Sequence, residues 1–375
     1  MHSVTTLAEK DLKGKRVLLR VGFDVPIDKG EVTNDFRIRE ALPTVEFLTS
    51  HGARVVMLSH IGRQKEETLL PVYGALQKYM RVSFVPELIG EHVVKRISAL
   101  ANGDVLLLEN LRSCEEEIAN DEVFAKTLAS YGDLYVNEAF SVAHRAHASI
   151  VGIPQYLPSY AGIGFAREVT ELTKAFTPTS PSVFVIGGAK FDTKLPLVKK
   201  FLPLYEKIYV CGALAHDVWE ARGVSVGGSL TSDVPLADSD IINSEKVILP
   251  VDVRVETLDG RVRVEKADRV GGGDIIMDAG AASVLAMVSS LRPGGTVLWN
   301  GPLGFYERGF TDATEAFAEG VALAGVRSIV GGGDTVASIE KLGLNKKFTH
   351  VSTGGGAMLE FLEKGTLPGI DALHK

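Results

Sequence analysis

The chain has 375 residues, 45% hydrophobic and 23% charged, with a formal net charge of −7. That length sets two domains as the expectation. The acidic balance excludes a surface that as a whole attracts nucleic acid or anionic membranes, so any anion must be held by a local cluster of positive groups. Cys114 and Cys211 stand far apart and are only two, which excludes a disulfide framework or a cysteine metal cluster. The N-terminal stretch Met1-His2-Ser3-Val4-Thr5-Thr6 has no apolar signal core, and no apolar run approaches the ~20 residues of a membrane span. A cytoplasmic protein is predicted.

Taken in order, short apolar runs predict strands at Arg16–Val21, Arg54–Leu58, Val82–Val85, Val105–Leu108 and Leu134–Val136 in the first half. Helix-like stretches lie between them, among them Ile38–Thr49 and Asp121–Tyr131. A charged helical segment at Arg167–Lys174 and the Pro- and Thr-rich piece Thr177–Pro181 follow, and read as a connector and a boundary. In the second half the runs are Ser182–Ile186, Lys207–Cys211, Lys246–Leu249, Thr296–Trp299, Arg327–Val330 and Thr349–Val351, with helices such as Lys194–Leu202, Gly280–Leu291 and Ala313–Ala324. Strands alternating with helices imply parallel sheets covered on both faces. One sheet of eleven or more strands would be unusual, so two sheets of five or six are expected. The fold class predicted is α/β: two doubly wound, Rossmann-like parallel-sheet domains joined by a helical hinge. The expected boundaries are 1–160, a linker 161–181, and 182–360, with a tail 361–375 packing back on the first domain.

Basic groups follow the strands of the first half: Arg20, Arg37, the run Ser59-His60-Ile61-Gly62-Arg63, Arg112, and His144-Arg145-Ala146-His147. Ligands of open α/β sheets bind outside the carboxyl ends of the strands, so these groups should converge. Any one arginine is as readily explained by a neighbouring carboxylate. Several after strands, in an acidic chain, favour a site for a small polyanion, whose oxygens suit the guanidinium fork.

Glycine turns follow the strands of the second half: Gly187-Gly188-Ala189-Lys190, Gly212-Ala213, Trp299-Asn300-Gly301-Pro302, Gly331-Gly332-Gly333-Asp334-Thr335 and Ser352-Thr353-Gly354-Gly355-Gly356. Such turns let backbone approach phosphate oxygens, and helix N-termini add N–H donors. Lys190 and Lys194 share a face if they sit on one helix. Asp334 reads as a helix N-cap, as a ligand to phosphate-bound Mg²⁺, or as both. No G-x-x-x-x-G-K-[ST] loop, kinase-type H-R-D or dinucleotide G-x-G-x-x-G after a strand occurs.

Together these motifs resemble those of the phosphoglycerate kinase family, in order and along essentially the whole chain. The match runs from Arg20–Pro26, Arg37-Ile38-Arg39, Ser59–Arg63, Glu109–Arg112 and Ala143–Ser149 to Gly187–Lys190 with Lys194, Leu249–Asp252, Trp299–Pro302, Gly331–Thr335 and Ser352–Gly356. The resemblance implies reversible phosphoryl transfer between 1,3-bisphosphoglycerate and ADP, giving 3-phosphoglycerate and ATP in glycolysis and gluconeogenesis, by a hinge-bending monomer. It implies an acid site at Gly22, Phe23, Asp24, Arg37, His60, Ile61, Gly62, Arg63, Arg112 and Arg145. It implies a nucleotide site at Lys190, Lys194, Gly212, Asn300, Glu307, Gly332, Gly333, Asp334 and Thr335, with Mg²⁺ on Asp334. Arg37, Lys190, Lys194, Gly332 and Gly355 are expected to serve the transfer itself.

Three departures stand out. Where the family reads Asp-Phe-Asn, this chain reads Gly22-Phe23-Asp24. Gly22 removes an acceptor, and Asp24 offers only acceptors where an amide donor is usual. Compensation by Asp24 is expected, with weakened acid affinity. Cys211 replaces a glycine, which narrows the adenine side. Ser229–Ser244 is short and reads as loop. Two other readings are a non-catalytic binding protein, supported only by Gly22 and Asp24, and a NAD-dependent oxidoreductase, which lacks its fingerprint.

Overall fold

The computed structural model describes residues 1–189, 191–232, 236 and 239–374. The chain forms two compact units, one of Met1–Thr170 with Lys364–Lys375 and one of Glu171–Glu363. The division falls inside the helix Ile163–Thr173, a few residues before the Thr-Pro-rich piece.

The first unit is built on a six-stranded parallel sheet in the order Ser83–Val85, Val105–Leu108, Arg54–Leu58, Arg16–Val21, Leu134–Glu138, Ser159–Ala161. Its central strands are buried on both faces, which is why they read as continuous apolar runs rather than alternating ones; Val17, Leu18 and Leu19 are all sealed from solvent. Arg20 is the exception, a cation only 1% exposed at the carboxyl end of the middle strand. The second unit repeats the plan in the order Val247–Ile248, Lys207–Val210, Ser182–Ile186, Thr296–Asn300, Arg327–Gly331, His350–Val351. In each sheet the chain runs outward from one central strand, then restarts on its other side. The resulting crevices open beside Arg16–Val21 and Leu134–Glu138 in one unit, and between Ser182–Ile186 and Thr296–Asn300 in the other. Ligands of such sheets bind at these points.

Three elements differ from the sequence expectation. The second unit carries an antiparallel sheet, Val262–Lys266, Asp252–Glu256 and Ile275–Ala279 in that order. Asp252–Glu256 alternates buried valines with partly exposed charged residues because one face is wet, and Val262–Lys266 is wet on both faces, so neither shows an apolar run. A sixth strand, Ser159–Ala161, closes the edge of the first sheet. The segment Ser229–Ser244, expected as loop, holds the one-turn helix Ser239–Ile242, while residues 233–235 and 237–238 lie outside the described residues.

Trp299 ties the second core to its site. Its side chain is sealed from solvent, meets Phe317 edge to face at 4.9 Å, and donates its indole N–H to the Gly301 carbonyl at 2.9 Å. The T-shaped geometry suits the ring quadrupoles. One buried side chain thus fills the core and fixes the turn that follows its strand.

Candidate active site

In the first unit the predicted groups gather at the carboxyl edge of the sheet. Phe23 and Ile61 are core side chains, 1% and 4% exposed, so they can offer a ligand only backbone. Their loops are locked from within: Phe23 N–H donates to Ser59 Oγ at 3.1 Å, and Asn110 holds Ile61 N–H and C=O at 3.1 and 3.0 Å. Asp24 Oδ1 accepts the Gly62 N–H at 3.1 Å, and the Asp24 carbonyl accepts from Arg37 Nη1 at 2.6 Å. Asp24 therefore staples the two loops together.

Among the described residues Arg63, Arg112 and Arg145 have no ion pair. The carboxylate explanation therefore fails for all three. Burial and the neighbouring Arg145 hold the Arg112 pKa below its ordinary value. Burial, then Arg20, Arg112 and Arg145, push His60 far below the usual imidazole range. Burial and the same arginines push His147 down to about 4. Both imidazoles are thus neutral in a field that stays net positive although Asp24 and Glu117 each stand 3.8 Å from one of them. Gly22 lies beside this cluster, and a Cβ placed on it would stand 3.0 Å from Ser141 Oγ.

In the second unit a cavity of about 430 Å³ is lined by Lys194, Gly212, Asn300, Glu307, Gly332, Gly333, Asp334 and Gly355, all expected from the sequence. That volume is of the size that takes a small ligand. The cavity also reaches His216, Trp219, Leu230, Ile276, Met277 and Phe305, an apolar flank. Gly212 has φ 61°, and a Cβ there would meet the Gly188 backbone N at 2.7 Å. Two strand-end turns therefore abut through glycine alone. The Lys194 ammonium, 8% exposed, donates to the Gly187 carbonyl.

Two expectations need correction. Asp334 is not the N-cap of its helix: Gly332 holds that place, with φ 103°, and Asp334 lies in the first turn of Gly333–Lys341. The backbone turn needs a positive φ at the cap, which glycine adopts freely. Thr335 does not line the cavity; it is sealed in the core, and its Oγ1 has no hydrogen-bond partner. Successive helical side chains diverge by about 100°, so the Asp334 carboxylate lines the cavity while the Thr335 side chain turns into the core. Lys190 lies outside the described residues. The described helix runs Phe191–Phe201 and carries Lys194, and the face it was expected to share with Lys190 lies outside the described residues.

A resident divalent ion would need carboxylate oxygen. Among the described residues no group of three or more His, Cys, Asp or Glu is arranged to hold a metal. Asp334 nonetheless fits an ion carried by a nucleotide, which takes one or two carboxylates with phosphate oxygens. It is half-buried on the cavity wall, and burial with the neighbouring Glu307 charge raises its pKa, so a cation there relieves a real cost.

Sequence reasoning missed Glu117 and Asp278, and took Ser149 only as the end of the Ala143–Ser149 match, without a role. Asp278 is 1% exposed on the cavity wall, accepts N–H groups of Ala279 and Ala313 at 3.0 and 3.1 Å, and burial pushes it up to about 7. Its signal was an Asp closing an apolar strand. Glu117 gave none, because it reads as one of three glutamates opening an exposed helix.

A family model described as phosphoglycerate kinase matches residues 7–365. A phosphoglycerate kinase of Moorella thermoacetica is 43% identical over 386 residues, covering 98% of both chains, and one of Borrelia turicatae is 40% identical over the full length of both. The solved phosphoglycerate kinase of Coxiella burnetii superposes with a TM-score of 0.85 at 35% identity, over 99% of this chain and 98% of that one. That of Pyrococcus horikoshii gives 0.87 at 28% identity, over 100% and 98%. No helix among the described residues is long and apolar enough to cross a membrane. The chain belongs to the phosphoglycerate kinase family, and its activity is that family's reversible transfer of a phosphoryl group between 1,3-bisphosphoglycerate and ADP.

Proposed function

We propose that the arginine cluster of the first unit binds the phosphoglycerate and that the cavity of the second binds the nucleotide with Mg²⁺. The observation that carries the first half is the set of guanidiniums on Arg63, Arg112 and Arg145, without carboxylate partners among the described residues, in a chain of net charge −7. Arg112 is buried and Arg145 half-buried, and unpaired cations there are costly unless an anion joins them, while Arg63 is exposed and adds its charge to Arg112 from the surface. A phosphate and a carboxylate on one small molecule supply that anion.

Phosphoryl transfer asks for in-line placement and for neutralised equatorial oxygens, not for covalent chemistry. The acceptors are already ionised, so no general base is required. Arg37 is held by the Asp24 carbonyl and neutralises charge from the acid side. Lys194 is held at the Gly187 turn and does so from the nucleotide side. Gly332 opens a helix and presents its N-terminal N–H groups to phosphate. When bound, Mg²⁺ would rest on Asp334 and offset nucleotide charge. Asp24 takes over part of the missing Gly22 acceptor role, its Oδ1 being committed to Gly62. We read the enzyme as a cytoplasmic monomer.

The test is a coupled assay with ATP, Mg²⁺ and 3-phosphoglycerate on wild type, Arg145→Gln and Asp334→Asn. Arg145→Gln should raise KM for 3-phosphoglycerate and leave KM for ATP unchanged. Asp334→Asn should raise KM for MgATP and the Mg²⁺ requirement alone. The reverse assignment, or equal effects on both substrates, overturns the division of labour.

A further inference from the structure

A chain of buried hydrogen bonds ends at His60. Ser149 N–H and Oγ–H donate to the two oxygens of Glu117 at 2.8 and 2.5 Å. Arg20 Nε donates to the same Ser149 Oγ at 2.9 Å, Arg20 Nη1 to the Val21 carbonyl, and Arg20 Nη2 meets His60 Nδ1 at 3.0 Å. Glu117, Arg20, Ser149 and His60 are all 2% exposed or less. Guanidinium only donates, so His60 Nδ1 must accept, and the ring proton must sit on Nε2. That Nε2 is buried without a hydrogen-bond partner, and the nearest carboxylate oxygen, Asp24 Oδ2, stands 3.8 Å away.

We propose that Glu117 is a positioning residue for the phosphoglycerate site: acting through Ser149 and Arg20, it locks His60 in the Nε2–H tautomer and aims that proton at the bound acid. The proposal rests on the assignment of the acid to the first unit.

The direction of each bond is forced. With Arg20 Nε on one lone pair of Ser149 Oγ, the hydroxyl proton turns to Glu117, which as an ionised carboxylate accepts both Ser149 donors; burial raises its pKa, and the Arg20 charge and these two bonds act against that rise. The Glu117 charge also balances the buried Arg20 cation, with His147 Nδ1 3.8 Å from Glu117 Oε1 on the far side. Remove that charge and Arg20 loses its reason to stay. With it goes the donor that specifies the tautomer of His60. The neutral imidazole is then free to place its proton on Nδ1, facing away from the acid, while Nε2 offers a lone pair to an anion. Burial and three arginines keep His60 from protonating to escape the choice.

The experiment follows the ring nitrogens of His60 by long-range ¹H–¹⁵N correlation in the full-length enzyme, without substrate, for wild type, Glu117→Gln and Ser149→Ala. Wild type should show Nδ1 unprotonated and Nε2 protonated. Nδ1 protonated in wild type overturns the proposal even if every variant fails to fold. Each folded variant should show mixed tautomers, with KM for 3-phosphoglycerate raised several-fold and KM for ATP unchanged. A raised KM with the wild-type tautomer retained overturns the proposal, because it signals only a structural role. Mixed tautomers with an unchanged KM also overturn it, and point to failure of the acid-site assignment, which the Arg145→Gln kinetics report separately.

Discussion

At residue scale the informative position is Gly22. Its departure from the family pattern is plain in the sequence, but its neighbour is not. Ser141 lies in the turn Phe140–Val142, far along the chain, and only the pairing of Arg16–Val21 with Leu134–Glu138 brings it over Gly22. A Cβ at 3.0 Å from the half-exposed Ser141 hydroxyl obliges that group to give by a few tenths of an ångström, at the low end of the ~1–3 kcal/mol typical of overpacking. Gly22→Asp should therefore destabilise the protein by about that amount on urea unfolding, and Ser141→Ala should recover most of it in the double variant. Additive effects would show that the two side chains do not meet. Restoring the family pattern with Asp24→Asn should raise kcat/KM for 3-phosphoglycerate only in the Ser141→Ala background. Arg63, Arg112 and Arg145 were legible as a cluster because each follows a strand. The link from Glu117 to His60 was not, because it passes through the buried hydroxyl of Ser149, a residue type with no signature of its own.

At the scale of elements the parallel strands could be read because burial on both faces leaves continuous apolar runs. Two strands of the antiparallel sheet escaped because they carry no apolar run, Asp252–Glu256 being wet on one side and Val262–Lys266 on both. The helix Ile163–Thr173 was placed close to its real position, but the sequence hid what holds its start. Glu138, at the end of Leu134–Glu138, accepts the Thr44 hydroxyl at 2.9 Å and the backbone N–H groups of Gly164 and Phe165. Thr44 Oγ1 in turn accepts Ile163 N–H at 2.9 Å. Burial pushes Glu138 up to about 8 from an ordinary 4.5 despite these bonds. The folded protein therefore holds a proton there that the unfolded chain releases above its own pKa. That contribution to stability is complete below about pH 4.5 and is lost as pH rises toward 8, at up to about 1.4 kcal/mol per pH unit. His147, pushed down to about 4, acts with the opposite sign: its contribution is present above its unfolded pKa and lost as pH falls toward 4. The comparison is therefore with Glu138→Gln. Between pH 5 and 8 the unfolding free energy of wild type should fall relative to that variant. Parallel curves would mean that Glu138 is ionised throughout.

For the whole molecule, charge sets the terms of substrate capture. A chain of net charge −7 repels anions at long range, and the arginine cluster attracts them at short range. Salt screens exposed charges over about 8–10 Å at physiological strength, so it weakens both effects, and the local attraction dominates at contact. KM for 3-phosphoglycerate should rise with ionic strength in wild type and rise less in Arg145→Gln. An equal slope would place Arg145 outside the field that the substrate meets. The two parallel sheets and most of their strands were legible from the rhythm of the chain, and Ser159–Ala161 was not. The partition of the chain between the units was less so, because it lies within a continuous helix that carries no break at Thr170.

The first unit is made of two pieces of chain. Leu367, Ile370 and Leu373 are 4% exposed or less. The helix Pro368–Ala372 is tied in by the Gly369 N–H, which donates to the Ala143 carbonyl at 2.8 Å. On the ribosome this piece is made after the whole of the second unit, at about 5–20 residues per second. The first unit therefore spends roughly ten seconds or more with the seat around Ala143 and Ile150 uncovered, while the unit made later has every residue it needs. A chain truncated after Lys364 should accordingly present a protease-resistant second unit beside a first unit that is still cleaved, and the full-length chain should protect both.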